Sequence, residues 1–158
     1  MFIFMLLITL AAIIIHLVLM KQRSAKKIVE VVLLYMIVIL FGVGTLMAGL
    51  FHILNGPATA AKIGWPAGSP FQFEVGAADV AFGLICILCL FFRGNFWLAA
   101  ILANSFFLFI CMIGHVRDLL ATGNVAAYNI GPNIILSDFI IPIVIIVLYI
   151  VYSRMEKE

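Results

Sequence analysis

Five apolar runs, at about residues 1–20, 28–54, 70–92, 96–117 and 134–153, leave this sequence little else to fold with. Each can cross roughly 30 Å of hydrocarbon as a helix rising about 1.5 Å per residue. A helix satisfies its backbone hydrogen bonds within the segment, as hydrocarbon demands. The expectation is an all-α, polytopic membrane helix bundle of five transmembrane helices. Composition agrees: 66% of the residues are hydrophobic and 10% charged, too few charges to clothe a soluble domain of this size. No polar stretch is long enough to hold a second core. The chain therefore divides into an N-terminal transmembrane helix with a basic loop (1–27), a four-helix membrane core (28–153) and a cytoplasmic tail (154–158).

Basic residues orient the bundle. Lys21, Arg23, Lys26 and Lys27 follow the first run, Arg93 lies in the turn after the third, and Arg154 and Lys157 close the chain. Alternating spans bring all seven to one side and leave Lys62 and Arg117 on the other. The positive-inside bias then sets the N-terminus outside and the C-terminus inside. The first run has no basic segment before it and no small-x-small site after it, so it is expected to be a span and not a cleaved signal peptide. The only basic cluster lacks interleaved aromatics, and no nucleic-acid partner is expected. The partner implied by the composition is the lipid bilayer.

Spacing supplies packing faces. Gly42, Thr45, Gly49 and His52 step by 3, 4 and 3 residues along the second span, and Gly76, Asp79, Gly83 and Cys86 do the same along the third. Such stripes let helices approach closely. A second small face on the third span, Glu74, Ala77, Ala78 and Ala81, predicts neighbours on both sides of a central helix. The first span shows no packing face and is expected at the periphery. Ser69-Pro70-Phe71-Gln72 reads as a capping box: serine takes an orphan amide, glutamine reaches back, and proline occupies the first helical position. Trp65 reads as an interfacial anchor. Pro142 cannot donate to the carbonyl of Asp138, which predicts a kink in the fifth span.

Ionisable residues inside a membrane are costly and mark candidate function. Asp79, Glu74, His52, His115 and Asp138 fall at a common outer depth on four different spans and form the predicted pocket. Each has a plainer reading. In that reading His52 bonds the Asn55–Pro57 loop, Glu74 favours a helix N-terminus, and Asp138 belongs to the Pro142 kink. Asp79 lies deeper and faces glycines, which favours the pocket. Asp118 is expected to pair with Arg117. A metal site is not expected, because di-metal bundles use Glu-x-x-His on one helix and His115-x-x-Asp118 is the nearest approach. Axial haem ligation by His52 and His115 is disfavoured on the same scale. Cys86-Ile87-Leu88-Cys89 has the C-x-x-C spacing but sits in an apolar run, so packing is favoured over redox chemistry.

Gly42-x-Gly44-x-x-x-x-Gly49-x-x-His52 before a proline-containing loop resembles the first helix of the DoxX-like membrane proteins. Glu74-x-Gly76-x-x-x-x-x-x-Gly83 resembles their second. The likeness covers about residues 35–150, which implies a DoxX-like four-helix core with the first span added. The string from Gly64-Trp65-Pro66 through Gly68-Ser69-Pro70-Phe71-Gln72 to Glu74 resembles a group of small prokaryotic membrane proteins without assigned activity, implying a prokaryotic cell membrane. DoxX-like relatives include a subunit of a thiosulfate:quinone oxidoreductase, yet Arg117 stands alone in the outer half, where a thiosulfate site would want several arginines. Three expectations follow. One is an outward-facing polar pocket for a small molecule or quinone, in a membrane redox complex. Another is a non-catalytic accessory subunit, and the third is a proton-coupled carrier of a small solute. Whether the chain is an enzyme, a homo-oligomer or a complex subunit stays open.

Overall fold

The computed structural model describes residues 2–21 and 23–155. The described residues form six helices: α1 (Phe2–Leu19), α2 (Ala25–Leu54), α3 (Gly56–Ile63), α4 (Phe71–Leu88), α5 (Asn95–Thr122) and α6 (Pro132–Met155). There is no strand among the described residues. All but α3 are long and apolar enough to cross a membrane, so the protein is a multi-pass, membrane-embedded helical chain. Two helices widen into π-helical turns, α2 over Met36–Val43 and α6 over Leu136–Ile140.

Local chemistry sets the helix ends. α2 starts at Ala25, three residues before the apolar run, because the Ser24 hydroxyl accepts the Lys27 amide at 3.2 Å. Gly94 (φ +62°) turns the chain between α4 and α5, and Gly123 (φ +73°) ends α5 five residues beyond its expected limit. The segment after α2 is not all loop. Asn55-Gly56-Pro57 ends one helix and opens the two-turn α3, with proline in its first turn. Part of the expected tail, 156–158, lies outside the described residues.

Consecutive spans alternate in direction. Arg93 after α4 reaches Glu30 near the start of α2 (3.9 Å), and Tyr149 near the end of α6 donates to the Gly94 carbonyl (3.4 Å). One end of the bundle therefore gathers Arg23, Lys26, Lys27, Arg93 and Arg154, and is called the basic end below. The α3 end carries Lys62 and Arg117. In the basic half a dry core forms around Leu33, Ile37, Trp97, Ile101 and Ile145, all fully buried. The Trp97 indole donates to the Cys89 carbonyl (2.9 Å). Cys86 and Cys89 have no exposure at all, in keeping with packing.

The two glycine stripes meet each other. A Cβ built on Gly49 would lie 2.6 Å from the Gly76 carbonyl oxygen, and one on Gly83 2.6 Å from the Leu46 amide. Helices α2 and α4 thus touch backbone to backbone along this seam, as the 3-4-3 spacing predicts. The second small face of α4 behaves otherwise: Ala77 and Ala81 are exposed and only Ala78 is partly covered. The expectation of neighbours on both sides fails there; α4 instead meets α5 through Phe82, whose ring lies 4.9 Å from that of Phe107. Helix α1 also departs from expectation. Met5, Thr9 and Ile13, four residues apart, are buried and form its packing face. Thr9 hides its hydroxyl by donating to the Met5 carbonyl (2.8 Å).

Candidate functional site

At the α3 end lies a cavity of about 810 Å³. Helices α1, α2, α4, α5 and α6 all contribute to its walls, with α3 and the two loops at that end above. Its bulk is apolar and aromatic, with Phe41, Phe51, Phe71, Phe107 and Ile141 among the lining residues. The five residues singled out by depth, His52, Glu74, Asp79, His115 and Asp138, all line it. Phe2 and Met5 of α1 reach it as well, so the added helix helps to close the site.

Asp79 is held deep by the glycine seam. Its Cβ would stand 2.8 Å from a Cβ on Gly49, so only glycine there admits the aspartate backbone so close. Asp79 is 6% exposed, lines the cavity, and its carboxyl has no hydrogen bond or ion pair among the described residues. Glu74 is exposed and sits at the rim.

His52 does not bond the Asn55–Pro57 loop. Its Nδ1 lies 2.7 Å from Gln72 Oε1, which corrects the capping-box reading as well. Ser69 does take an orphan amide, that of Phe71 at 3.2 Å, and Pro70 has helical dihedrals (φ −56°, ψ −21°). Gln72, however, points across to α2 and is buried at 6% exposure, so it cannot reach back. A buried histidine offers more than a solvated amide at a helix start, since an unmet buried polar group costs more than a frayed cap.

His115 is fixed from several sides. The Asn129 Nδ2 donates to the Asn124 carbonyl (2.9 Å), which turns Asn129 Oδ1 towards His115 Nδ1 at 2.8 Å. An amide oxygen accepts only, so Nδ1 carries a hydrogen, and the neutral ring presents Nε2 as an acceptor. That atom stands 4.0 Å from Asp138 Oδ2, too far for a direct hydrogen bond. The other oxygen, Oδ1, accepts from the Ser137 hydroxyl at 2.5 Å. Asp138 sits within the π-helical turn of α6, where Ile141 N–H reaches the Leu136 carbonyl five residues back. Widened turns re-aim side chains, and here one aims a carboxyl beside a histidine. The turn ends two residues before the buried Pro142, so the disturbance expected from that proline takes this form.

The covering loops correct one further expectation and give Trp65 partners within the protein. Its ring stacks on His115 (centroids 5.4 Å, 17°) and its indole donates to Asp118 Oδ2 at 2.9 Å. Asp118 has no ion pair with Arg117 among the described residues. It accepts instead from Trp65, from Asn124 Nδ2 (2.7 Å) and from Thr122 (3.3 Å). Asn124 also donates to the Ile63 carbonyl at 2.9 Å, tying the end of α3 to the α5–α6 loop. Gly64, at φ +84°, makes room: a Cβ there would meet Asn124 Oδ1 at 2.6 Å. Sequence reasoning passed over Asn124, Asn129 and Ser137. Their signal was simply being amides and a hydroxyl in so apolar a chain.

The chain belongs to DUF6790, a family of unknown function whose sequence profile matches residues 1–158. No curated protein matches, and no solved structure does.

Proposed function

We propose that this member of a family without assigned activity is a membrane-embedded binding protein. Its cavity takes a small molecule with an apolar body and a polar end. One observation carries the reading: four spans bring five ionisable side chains to a single largely apolar cavity, and one of them, Asp79, is buried without a partner. Carboxyls inside a bundle are expensive and persist where a site uses them. A short quinone is one molecule of suitable size and character, and a membrane redox complex is one setting for it. Helices α2, α4, α5 and α6 correspond to the four-helix core of the DoxX-like resemblance. By the positive-inside bias the cavity end faces outward across a prokaryotic cell membrane.

Cys111 provides the test, since it lines the cavity while Cys86 and Cys89 are sealed in the core. In lipid nanodiscs a small neutral maleimide should label Cys111 and spare the other two. A bound small molecule should slow that labelling saturably. Gly114→Leu should slow it too, because Gly114 lines the cavity and a Cβ there meets nothing within 4 Å. Labelling indifferent to every small molecule offered would refute the reading.

A second reading, an accessory subunit, draws on the exposed Ala77 and Ala81 of α4. Such a small-residue face suits a helix of another subunit or a second copy. Cross-linking from Ala81→Cys would show it.

A further inference from the structure

Three side chains lining the cavity leave an acceptor uncommitted. Asp79 offers an unpartnered carboxyl at 6% exposure. Asp138 offers Oδ2, its Oδ1 being taken by Ser137. His115, its Nδ1 hydrogen committed to Asn129, offers Nε2. At the rim stands Glu74, and the lining holds three carboxyl groups against one lysine, Lys62, among the described residues.

From this arrangement we infer that the ligand of the cavity is an organic ammonium: a primary amine, charged, on an apolar or aromatic body. The inference rests on the binding reading above and narrows it to a chemical class.

Geometry supports it in two ways. His115 Nε2 and Asp138 Oδ2 lie 4.0 Å apart with no bond between them. An atom about 2.8 Å from each would see them roughly 90° apart, close to the spread of two hydrogens on one ammonium nitrogen. A carbonyl oxygen has no hydrogen to give to either. A third ammonium hydrogen remains for a further acceptor, and Asp79 is the unpartnered one in the same cavity. Around these atoms the walls include Phe51, Phe71, Phe107 and Tyr128. Aromatic faces attract cations as well as shelter apolar bodies. A charged ligand also supplies what the cavity lacks, a counter-ion for buried carboxyls.

The test compares 2-phenylethylammonium, 2-phenylethanol and a fully substituted short-chain quinone as protectants of Cys111 in wild-type protein in nanodiscs. The ammonium should protect saturably at a concentration at least tenfold below that of the alcohol. Asp79→Asn, nearly the same shape, should weaken the ammonium tenfold or more and leave the alcohol within about threefold. Equal protection by alcohol and ammonium overturns the inference. So does protection by the quinone alone, which leaves the binding reading standing. If none of the three protects, the binding reading falls and the inference with it. The wild-type comparison decides the matter even if Asp79→Asn does not fold.

Discussion

The α2–α4 seam makes the sharpest prediction about the fold. In Gly49→Ala the new Cβ would sit 2.6 Å from the Gly76 carbonyl oxygen, 2.8 Å from Asp79 Cβ and 2.8 Å from the Val80 amide nitrogen. Two of these are backbone atoms and cannot swing aside. Ordinary contact begins near 3.4 Å, so the helices must part by about 0.8 Å locally. Overpacking of this kind costs about 1–3 kcal/mol. A radial gap of that size along the rest of the seam also forfeits a quarter to a half of each contact it opens. Against this, alanine gains about 1 kcal/mol over glycine in a helix. The net loss is about 1–2 kcal/mol, or roughly 2–8 °C in Tm for a chain of this length.

Gly114→Ala is the matched control. It lies within a helix too, but its Cβ meets nothing within 4 Å. Only the propensity gain remains, and the variant should match or exceed wild type by up to about 1 kcal/mol. Thermal unfolding of both variants in one detergent, followed by far-ultraviolet circular dichroism, reads the difference in sign. If Gly49→Ala melts with or above Gly114→Ala, the backbone contact is not what holds α2 to α4.

Other perturbations separate the roles of single side chains. Asn104 is fully buried on α5 and neither amide atom has a partner among the described residues; Asn104→Leu should therefore stabilise the chain by about 1–3 kcal/mol in chemical unfolding. Asn129→Leu should do the reverse by a similar amount, since it orphans His115 Nδ1 in a buried setting. Trp65→Phe keeps a ring against His115 but loses the bond to Asp118; amide exchange should quicken around Ile63–Trp65 and Asn124–Asn129 while the α2–α4 seam stays protected.

What the sequence disclosed and what it hid divide along a physical line. Spans, stripes and depth are properties of position along one helix, and position survives in a one-dimensional string. Gly49 facing Gly76 could be foreseen because both lie on 3-4-3 stripes, and the five cavity residues because each lies in the half of its span nearer the α3 end. Partner choice is different. Gln72 had a plausible local use at the helix start, yet it serves His52, twenty residues earlier. Trp65 looked suited to a lipid interface, and its spacing gave no sign that its ring stacks on His115, fifty residues later. The Met5-Thr9-Ile13 face of α1 was invisible because its neighbours are equally apolar and periodicity needs contrast. In an oily chain a polar group with neither a distant partner nor a cavity is costly, since water is not there to take it, and Asn104 is such a group. Gln72, Trp65 and Asn129 found partners and so describe structure. Asp79 found none and faces open space in the middle of the fold, and that difference is what makes it the residue on which a ligand would depend.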